Sequence, residues 1–258
     1  MSQSLGVVIP AFRPDLGRLA DYVAALDERL SPEVVRVELD APRPGSVESL
    51  ADAPATVAVS ERRRGKGAAV TDGFEALGTD VLAFADADGS TPADSLADVV
   101  APVLDGRTAL AVGSRRHPDA TVTSHQTFVR RRLGDAFAEL ARLLLEVELY
   151  DYQCGAKAIT ADAWREVRGH LYEPGFAWDV ELVAMAAALE LSVVEVPIVW
   201  EDQPGSTVSP LRSTLAFGRT LLAARHRAKL LAEDPLHGAI DRYRESRPAL
   251  VDRPGAGR

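Results

Sequence analysis

The most informative stretch of the sequence is residues 81–91, which read VLAFADADGST. Its first part, Val81–Phe84, has the length and apolar character of a buried strand, and the residues after it form a turn into the next helix. Asp86 and Asp88 therefore follow a strand end, which is where open α/β sheets bind ligands. Two carboxylates one residue apart at such an edge suit a hard divalent cation that also binds a diphosphate.

A purely structural interpretation of the same stretch stays open. Asp88 and Ser90 would then shape the turn, and Thr91 would cap the helix that Pro92 opens. A pair of aspartates one residue apart also arises often by chance in an acidic chain. The position of the pair at the end of an apolar strand favours the ligand-binding interpretation.

The surrounding sequence predicts an α/β fold with a mostly parallel central sheet flanked by helices, because short β-branched runs alternate with amphipathic segments. We expect Pro10 and Pro14 to end the first strand. The predicted strands are Leu5–Ile9, Val34–Leu39, Thr56–Val59, Val81–Phe84, Leu110–Gly113 and Val193–Val199, and the predicted helices are Asp15–Leu30, Gly67–Leu77 and Gln126–Leu149. The segment Tyr150–Gly175 shows no clear periodicity.

Length and composition indicate one catalytic domain over residues 1–233, followed by a polar tail, 234–258, that we expect to be loosely packed or mobile. The formal net charge of -9 gives no general electrostatic case for nucleic-acid binding. No stretch approaches the roughly 20 apolar residues that cross a bilayer. Any membrane contact is therefore expected to be peripheral, and the apolar Leu211–Leu231 segment with its interspersed cations is one candidate for it.

Two groups of cations could meet phosphate. Residues 62–67, RRRGKG, follow the third strand and lead into a helix, so Arg64, Gly65 and Lys66 could bind an anion at the helix N-terminus. A solvated basic loop is the alternative. Arg115 with Arg116, and the triplet 130–132, could hold a second phosphate through bidentate hydrogen bonds.

Acidic residues also open a helix at Asp179 and Glu181, where they need no role beyond complementing the helix dipole. A functional interpretation places Asp179 against sugar hydroxyls and makes Trp178 an apolar wall. The single cysteine, Cys154, is expected to be a small buried side chain, because no neighbouring base would activate it.

Six segments, taken in order, resemble glycosyltransferase family 2, and the resemblance covers roughly residues 5 to 225. The likeness is strongest to its dolichyl-phosphate glucosyltransferases, with dolichyl-phosphate mannose synthases next. The segments are 7–10 VVIP, 64–70 RGKGAAV, 85–91 ADADGST, 113–115 GSR, 153–157 QCGAK and 178–182 WDVEL.

The resemblance implies a GT-A type fold and an inverting transfer of glucose or mannose from a nucleotide-diphosphate sugar, UDP-glucose or GDP-mannose, to a polyprenyl (dolichyl) phosphate. It also implies a Mg²⁺ or Mn²⁺ ion held by Asp88 and shared with Asp86. Peripheral attachment to the cytoplasmic face of the membrane would accompany a lipid acceptor.

Residue by residue, the resemblance implies three further roles. The acceptor phosphate would meet Arg115, Arg130 and Arg131, and Asp179 would contribute to catalysis or to sugar contact. The nucleotide-sugar site would comprise Pro10, Ala11, Asp40, Arg64, Gly65, Lys66, Asp86 and Ala87.

The sequence departs from the family pattern at the nucleotide site, where Ala11-Phe12-Arg13 and Asp40-Ala41-Pro42 replace more acidic turns. The choice between uracil and guanine therefore stays open. Two alternative functions also stay open. One is a family 2 enzyme with a hydroxyl acceptor, for which Asp179 or Glu181 would have to act as base, and the other is a non-catalytic subunit that binds a sugar nucleotide.

Overall fold

The structure is a computed structural model, and it describes residues 3–123, 138–145, 147–201, 210–241 and 247–253, with only the backbone for 210–217 and 241. Its centre is a seven-stranded sheet in the order β3-β2-β1-β4-β7-β5-β8. β6 and β9 pair separately as a small parallel sheet. The strands are β1 Leu5–Phe12, β2 Val34–Asp40, β3 Thr56–Ser60, β4 Val81–Ala85, β5 Leu110–Ser114, β6 Thr121–Thr123, β7 Ala156–Thr160, β8 Val193–Pro197 and β9 Val199–Glu201.

Helices cover both faces of the sheet. They are α1 Leu16–Leu30, α2 Lys66–Glu75, α3 Ala93–Leu104, α4 Ala161–Val167, α5 Trp178–Ala188, α6 Pro210–Leu231 and α7 Pro235–Asp241. Short 3₁₀ turns occur at Glu48–Leu50, Arg168–His170 and Leu250–Asp252, and residues 138–145 are also helical. The predicted mostly parallel α/β architecture is confirmed.

Alternation along β1 shows how the sheet divides the core in two. Val7 and Ile9 point into one apolar cluster, which includes α1 and α3, and Val8 points into the other, which includes α2 and α5. All three side chains are fully buried. Each cluster removes a large apolar area from water, which is the main stabilising contribution to such a fold.

Local signals set the ends of α1. Asp15 is its N-cap, and its carboxylate accepts a hydrogen bond of 3.1 Å from the Arg18 amide. At the other end Ser31 adopts a left-handed conformation with φ of 45°. A side-chain acceptor at the start and a left-handed residue at the end are usual ways to terminate a helix.

The expectation that Pro10 would end the first strand is wrong, because β1 continues to Phe12 and pairs with β2 along that length. Pairing of β1 with β4 stops at Val8. Proline lacks an amide hydrogen, so it is tolerated where a strand has lost one of its neighbours.

Sequence periodicity missed β7, which lies between β4 and β5 and runs antiparallel to both. The predicted strand Val193–Val199 is in fact split between β8 and β9, which belong to different sheets. Of the predicted helix Gln126–Leu149, only 138–145 is described as helix, and residues 124–137 lie outside the described residues.

The C-terminal segment requires a partial correction. Leu250 is only 3% exposed, joins the core cluster around α5, and its amide donates to the Leu171 carbonyl at 2.8 Å. Arg253 donates to the Tyr172 carbonyl at 2.6 Å. Residues 249–253 are therefore packed against the domain, and the expected loose packing of 234–258 does not apply to them.

Within the described ranges, no helix is both long enough and apolar enough to span a bilayer.

Candidate active site

The aspartate pair lies at the carboxyl end of β4, as predicted. The amide of Asp86 donates to the Gly155 carbonyl at 3.0 Å, which fixes the turn after the strand. Asp88 is exposed, and its Oδ1 accepts a 3.0 Å hydrogen bond from the Ser90 amide. Gly89 adopts a φ of 68°, a conformation that favours glycine, and Ala87 lies half-buried between the two carboxylates.

Lys66 lies next to this pair. Its Nζ is 2.9 Å from Asp86 Oδ1 and 2.8 Å from Asp179 Oδ2, and its side chain is only 6% exposed. Burial alone would lower the pKa of Lys66, but the charges of Asp179 and Asp86 raise it above its ordinary value. Lys66 is therefore a fixed cation at the edge of the site.

Burial raises the pKa of Asp86, and the neighbouring Lys66 opposes that rise. The carboxylate is still 35% exposed and faces the same edge as Asp88. Tyr22 lies beneath the turn, where its hydroxyl donates to the Thr91 carbonyl at 2.7 Å. Burial, followed by the negative charges of Asp86 and Asp88, raises the pKa of Tyr22, so its phenol stays protonated.

Asp179 is not placed to touch a sugar. It is 1% exposed, and its second oxygen, Oδ1, accepts a 3.0 Å hydrogen bond from Lys157 Nζ. Trp178 is fully buried and packs edge-on against Phe84. The expected sugar contact of Asp179 and the expected apolar wall of Trp178 are therefore not what this arrangement provides.

Glu181, the other carboxylate considered as a base, is fully buried. It accepts hydrogen bonds from the amides of Tyr172 and Glu173 at 2.8 and 2.7 Å, and it pairs with Arg227. Glu181 holds the loop that precedes α5, which is a structural role.

The basic segment before α2 divides into two parts. Arg64 does not face an open site, because its guanidinium bonds Asp40 at 2.8 Å and Asp72 at 2.8 Å and lies 2.9 Å from Glu38. Asp40 also accepts the amides of Arg64 and Gly65, at 2.7 and 3.1 Å. The anion at the start of α2 is therefore Asp40 itself, and Lys66 is the residue of this segment that reaches the aspartate pair.

Pro10 and Ala11 lie at the end of β1, beside β2. Ala11 is buried and in register with Leu39, and the next residue, Phe12, is in register with Asp40. The guanidinium of Arg63 lies 4.2 Å from the centre of the half-exposed Phe12 ring. The residues assigned to the nucleotide thus gather along the carboxyl ends of β1, β2 and β4.

Arg115 follows β5 and is held by a buried partner. Its Nε and Nη2 bond the two oxygens of Asp151 at 2.7 and 3.0 Å, and its guanidinium lies 5.7 Å from the centre of the Trp200 ring. Burial raises the pKa of Asp151, but the charge of Arg115 outweighs it and lowers that pKa to about 2. Arg130 and Arg131 lie outside the described residues.

Three residues at the site, from the aperiodic segment around β7, were given no role from the sequence, although two of them lie in the segment QCGAK that resembles the family. Asp151 orients Arg115, Gly155 accepts the amide of Asp86, and Lys157 holds Asp179. The rarity of lysine was the available signal, since the chain has only Lys66, Lys157 and Lys229. As expected, Cys154 is buried, and burial raises its pKa to about 12.

Comparison with known proteins now identifies the family. Residues 7–159, more than half of the chain, match the family described as Glycosyl transferase family 2. The chain belongs to this family. The match includes most of β1 and β7, all of α2 and the aspartate pair, and so contains most of the site described above.

Curated relatives include Glycosyltransferase AglD of Haloferax volcanii, with 32% identity over 63% of this chain and 26% of that protein. Dolichyl-phosphate beta-glucosyltransferase of Mus musculus is 33% identical over 64% of this chain and 53% of its own length. The Drosophila melanogaster protein of the same name is 35% identical over 61% of this chain and 50% of its own length. The chain thus spans about half the length of these last two relatives and about a quarter of AglD.

Among solved structures, glucosyl-3-phosphoglycerate synthase from Mycobacterium tuberculosis superimposes with a TM-score of 0.65 at 18% identity. The match covers 88% of this chain and 80% of the other, whose structure contains Mn²⁺, UDP-glucose and phosphoglyceric acid. At this identity the likeness concerns the fold, and it agrees with the predicted GT-A type architecture.

Proposed function

We propose that this protein is an inverting hexosyltransferase that moves glucose or mannose from a nucleotide-diphosphate sugar to a polyprenyl phosphate such as dolichyl phosphate. The dolichyl-phosphate relatives motivate the acceptor. The observation that carries the proposal is a site with a strand-end aspartate pair and a fixed lysine, in which the candidate bases are already occupied.

The bonds that occupy Asp179 and Glu181 bear on which kind of acceptor the site can use. Asp179 has both oxygens bonded to lysines, and Glu181 is buried and bonded to amides and Arg227. A hydroxyl acceptor needs a base to take its proton. A phosphate monoester has a second pKa of about 6, so it is already ionised at neutral pH and needs to be oriented instead of deprotonated.

Asp86 and Asp88 fit a divalent cation such as Mg²⁺ or Mn²⁺. Both present carboxylate oxygens on the same turn, and Asp88 is exposed. No cluster of three or more His, Cys, Asp or Glu side chains suited to a metal occurs in the described part of the chain. Two carboxylates suffice where phosphate oxygens and water complete the shell, and a bound ion would there neutralise the diphosphate that leaves.

Lys66 supports the same step from the protein side. Its ammonium group stands beside Asp86, where a diphosphate on the aspartate pair would come within reach of its charge. A preorganised cation stabilises negative charge that develops on a leaving group. The base of the donor nucleotide is uracil or guanine in this proposal.

Arg115 is the described candidate for contact with the acceptor phosphate, together with Arg130 and Arg131. The bond to Asp151 leaves the Arg115 side chain 25% exposed and fixed in direction. A lipid phosphate lies at a membrane surface, so peripheral contact with the cytoplasmic face belongs to the same proposal.

The test is a screen of radiolabelled UDP-glucose and GDP-mannose with Mn²⁺ or Mg²⁺ against a short polyprenyl phosphate, with extraction of product into organic solvent. Phosphoglyceric acid and a simple glycan serve as hydroxyl acceptors, and a reaction without acceptor measures hydrolysis. We expect extractable label with one donor and with lipid phosphate only.

Transfer to a hydroxyl acceptor alone would replace the lipid proposal by the hydroxyl-acceptor alternative. Binding of donor with no turnover under any condition would favour the non-catalytic subunit.

A further inference from the structure

Lys157 carries a buried ammonium group that the proposed chemistry does not use. The residue is 1% exposed, and Nζ donates to the Cys154 carbonyl at 2.6 Å and to Asp179 Oδ1 at 3.0 Å. This burial keeps Lys157 away from any substrate. Lys157 can therefore act on the reaction only through the groups that it bonds, the Cys154 carbonyl and the Asp179 carboxylate.

Asp179 passes the interaction on to the edge of the site. Its other oxygen, Oδ2, is 2.8 Å from Lys66 Nζ, which is in turn 2.9 Å from Asp86 Oδ1. The four groups form a chain of alternating charge, Lys157, Asp179, Lys66 and Asp86. Asp86, at 35% exposed, opens onto the site, and the 6% exposed Lys66 side chain lies directly behind it.

An aromatic ring separates the two ammonium groups from the core below. Lys66 Nζ lies 5.0 Å and Lys157 Nζ 5.8 Å from the centre of the Phe84 ring, and Phe84 itself is fully buried. Ammonium groups at this distance are attracted to an aromatic face. The ring limits where either lysine can move when its carboxylate partner changes.

The second cation on Asp179 has a physical consequence for Lys66. A buried carboxylate with one ammonium partner holds that partner strongly, because its charge is compensated nowhere else. With Lys157 on Oδ1, Asp179 is compensated from both sides. Lys66 can then keep its second bond, to Asp86.

We propose that Lys157 is a positioning residue for sugar transfer, which acts through Asp179 to hold the Lys66 ammonium group against Asp86. This inference rests on the proposed function, because it takes Lys66 and Asp86 as the groups that meet the leaving diphosphate. Under this inference, Asp179 connects the two lysines and serves neither as a base nor as a contact for the sugar.

The experiment uses Lys157→Met, which keeps an unbranched side chain only one atom shorter and removes its charge. Lysine-selective ¹⁵N NMR of the protein without donor follows the ammonium groups directly, and the three lysines make assignment simple. The matched control is Arg168→Met, which removes the 2.5 Å ion pair with Glu75 at the other end of α2. We expect the Lys66 signal to shift in Lys157→Met and to stay in place in Arg168→Met.

Kinetics then connects this shift to turnover. Loss of one charge-assisted hydrogen bond in the chain should lower kcat/KM for the donor about 10- to 100-fold in Lys157→Met. Because Lys157 acts through Asp179, adding Lys157→Met to Asp179→Asn should lower kcat/KM no further. If Lys157→Met does not fold, Lys157→Gln retains an N–H donor for the Cys154 carbonyl and takes its place.

An unmoved Lys66 signal would overturn the inference whatever the enzyme transfers, and so would fully additive losses in the double variant. A shifted Lys66 signal in a protein that gives no lipid product with any donor has a different meaning. The charge chain would then stand, and the proposed function would fall.

Discussion

Gly155→Ala is the most direct test of the site geometry, because the carboxylate of Asp86 packs against the Cα of Gly155. A Cβ built there would lie 1.8 Å from Asp86 Oδ2 and 2.3 Å from its Cγ. Real Cβ contacts are essentially never under 3.0 Å. The Asp86 carboxylate must therefore shift by roughly 1.2 Å, and we expect this shift to disturb its 2.9 Å contact with Lys66.

A displacement of about 1 Å at reacting groups can cost on the order of 10²-fold in rate. We expect Gly155→Ala to lose about that factor in kcat/KM for the donor, measured from initial rates with Mn²⁺. Gly169→Ala is the control, because a Cβ at Gly169 meets nothing within 4 Å. Wild-type donor kinetics in a folded Gly155→Ala protein would refute the assignment of Asp86 to the donor site.

Three further predictions concern single carboxylates. Asp88→Ala should abolish transfer and leave the thermal midpoint unchanged, because this exposed side chain adds little to the core; metal-dependent turnover at the wild-type level would remove it from the metal site. Asp179→Asn should keep a measurable transfer rate and the acid limb of the pH–rate profile near pH 6, which belongs to the acceptor phosphate; loss of that limb would make Asp179 the base. The pKa of Asp151 is about 2 when folded and 3.8 ordinarily, so its stabilising effect is complete above about pH 4 and is lost as the pH falls through 2. Urea unfolding should show a loss on the order of 2 kcal/mol over that range, and Asp151→Asn should lack that loss; an equal loss in the variant would show that other groups cause it.

The parallel part of the fold was predictable because each of its strands and helices can be recognised from a short stretch of sequence. β1 and β4 are apolar runs, β2 and β3 are rich in β-branched residues, and α1 carries a clear capping residue at Asp15. β7 was not predictable in the same way. Its sequence, AKAIT, places a charged lysine in a buried strand, and the Cys154 carbonyl and the distant Asp179 carboxylate make that burial acceptable.

The position of the site was predictable from the sequence, but the roles of its residues were less so. Lys66 contacts Asp86, and Asp88 lies on the same turn, because the elements that carry them end at one edge of the sheet. The partners of Arg64 and Asp179 were not foreseen. Arg64 bonds a residue 24 positions away and Asp179 a residue 113 positions away, and charge pairing over such separations leaves no periodic pattern in a sequence.

The place of β7 also has a consequence for how the chain is made. β4 and β5 do not pair with each other, so in the order of the large sheet β7 is what joins the first four strands to β5 and β8. During synthesis from the N-terminus, the outer edge of β4 stays unpaired until residues 156–160 have emerged from the ribosome. An open strand edge invites pairing with other chains. Between the emergence of β4 and that of β7, the nascent protein therefore exposes a strand edge that is covered in the finished sheet.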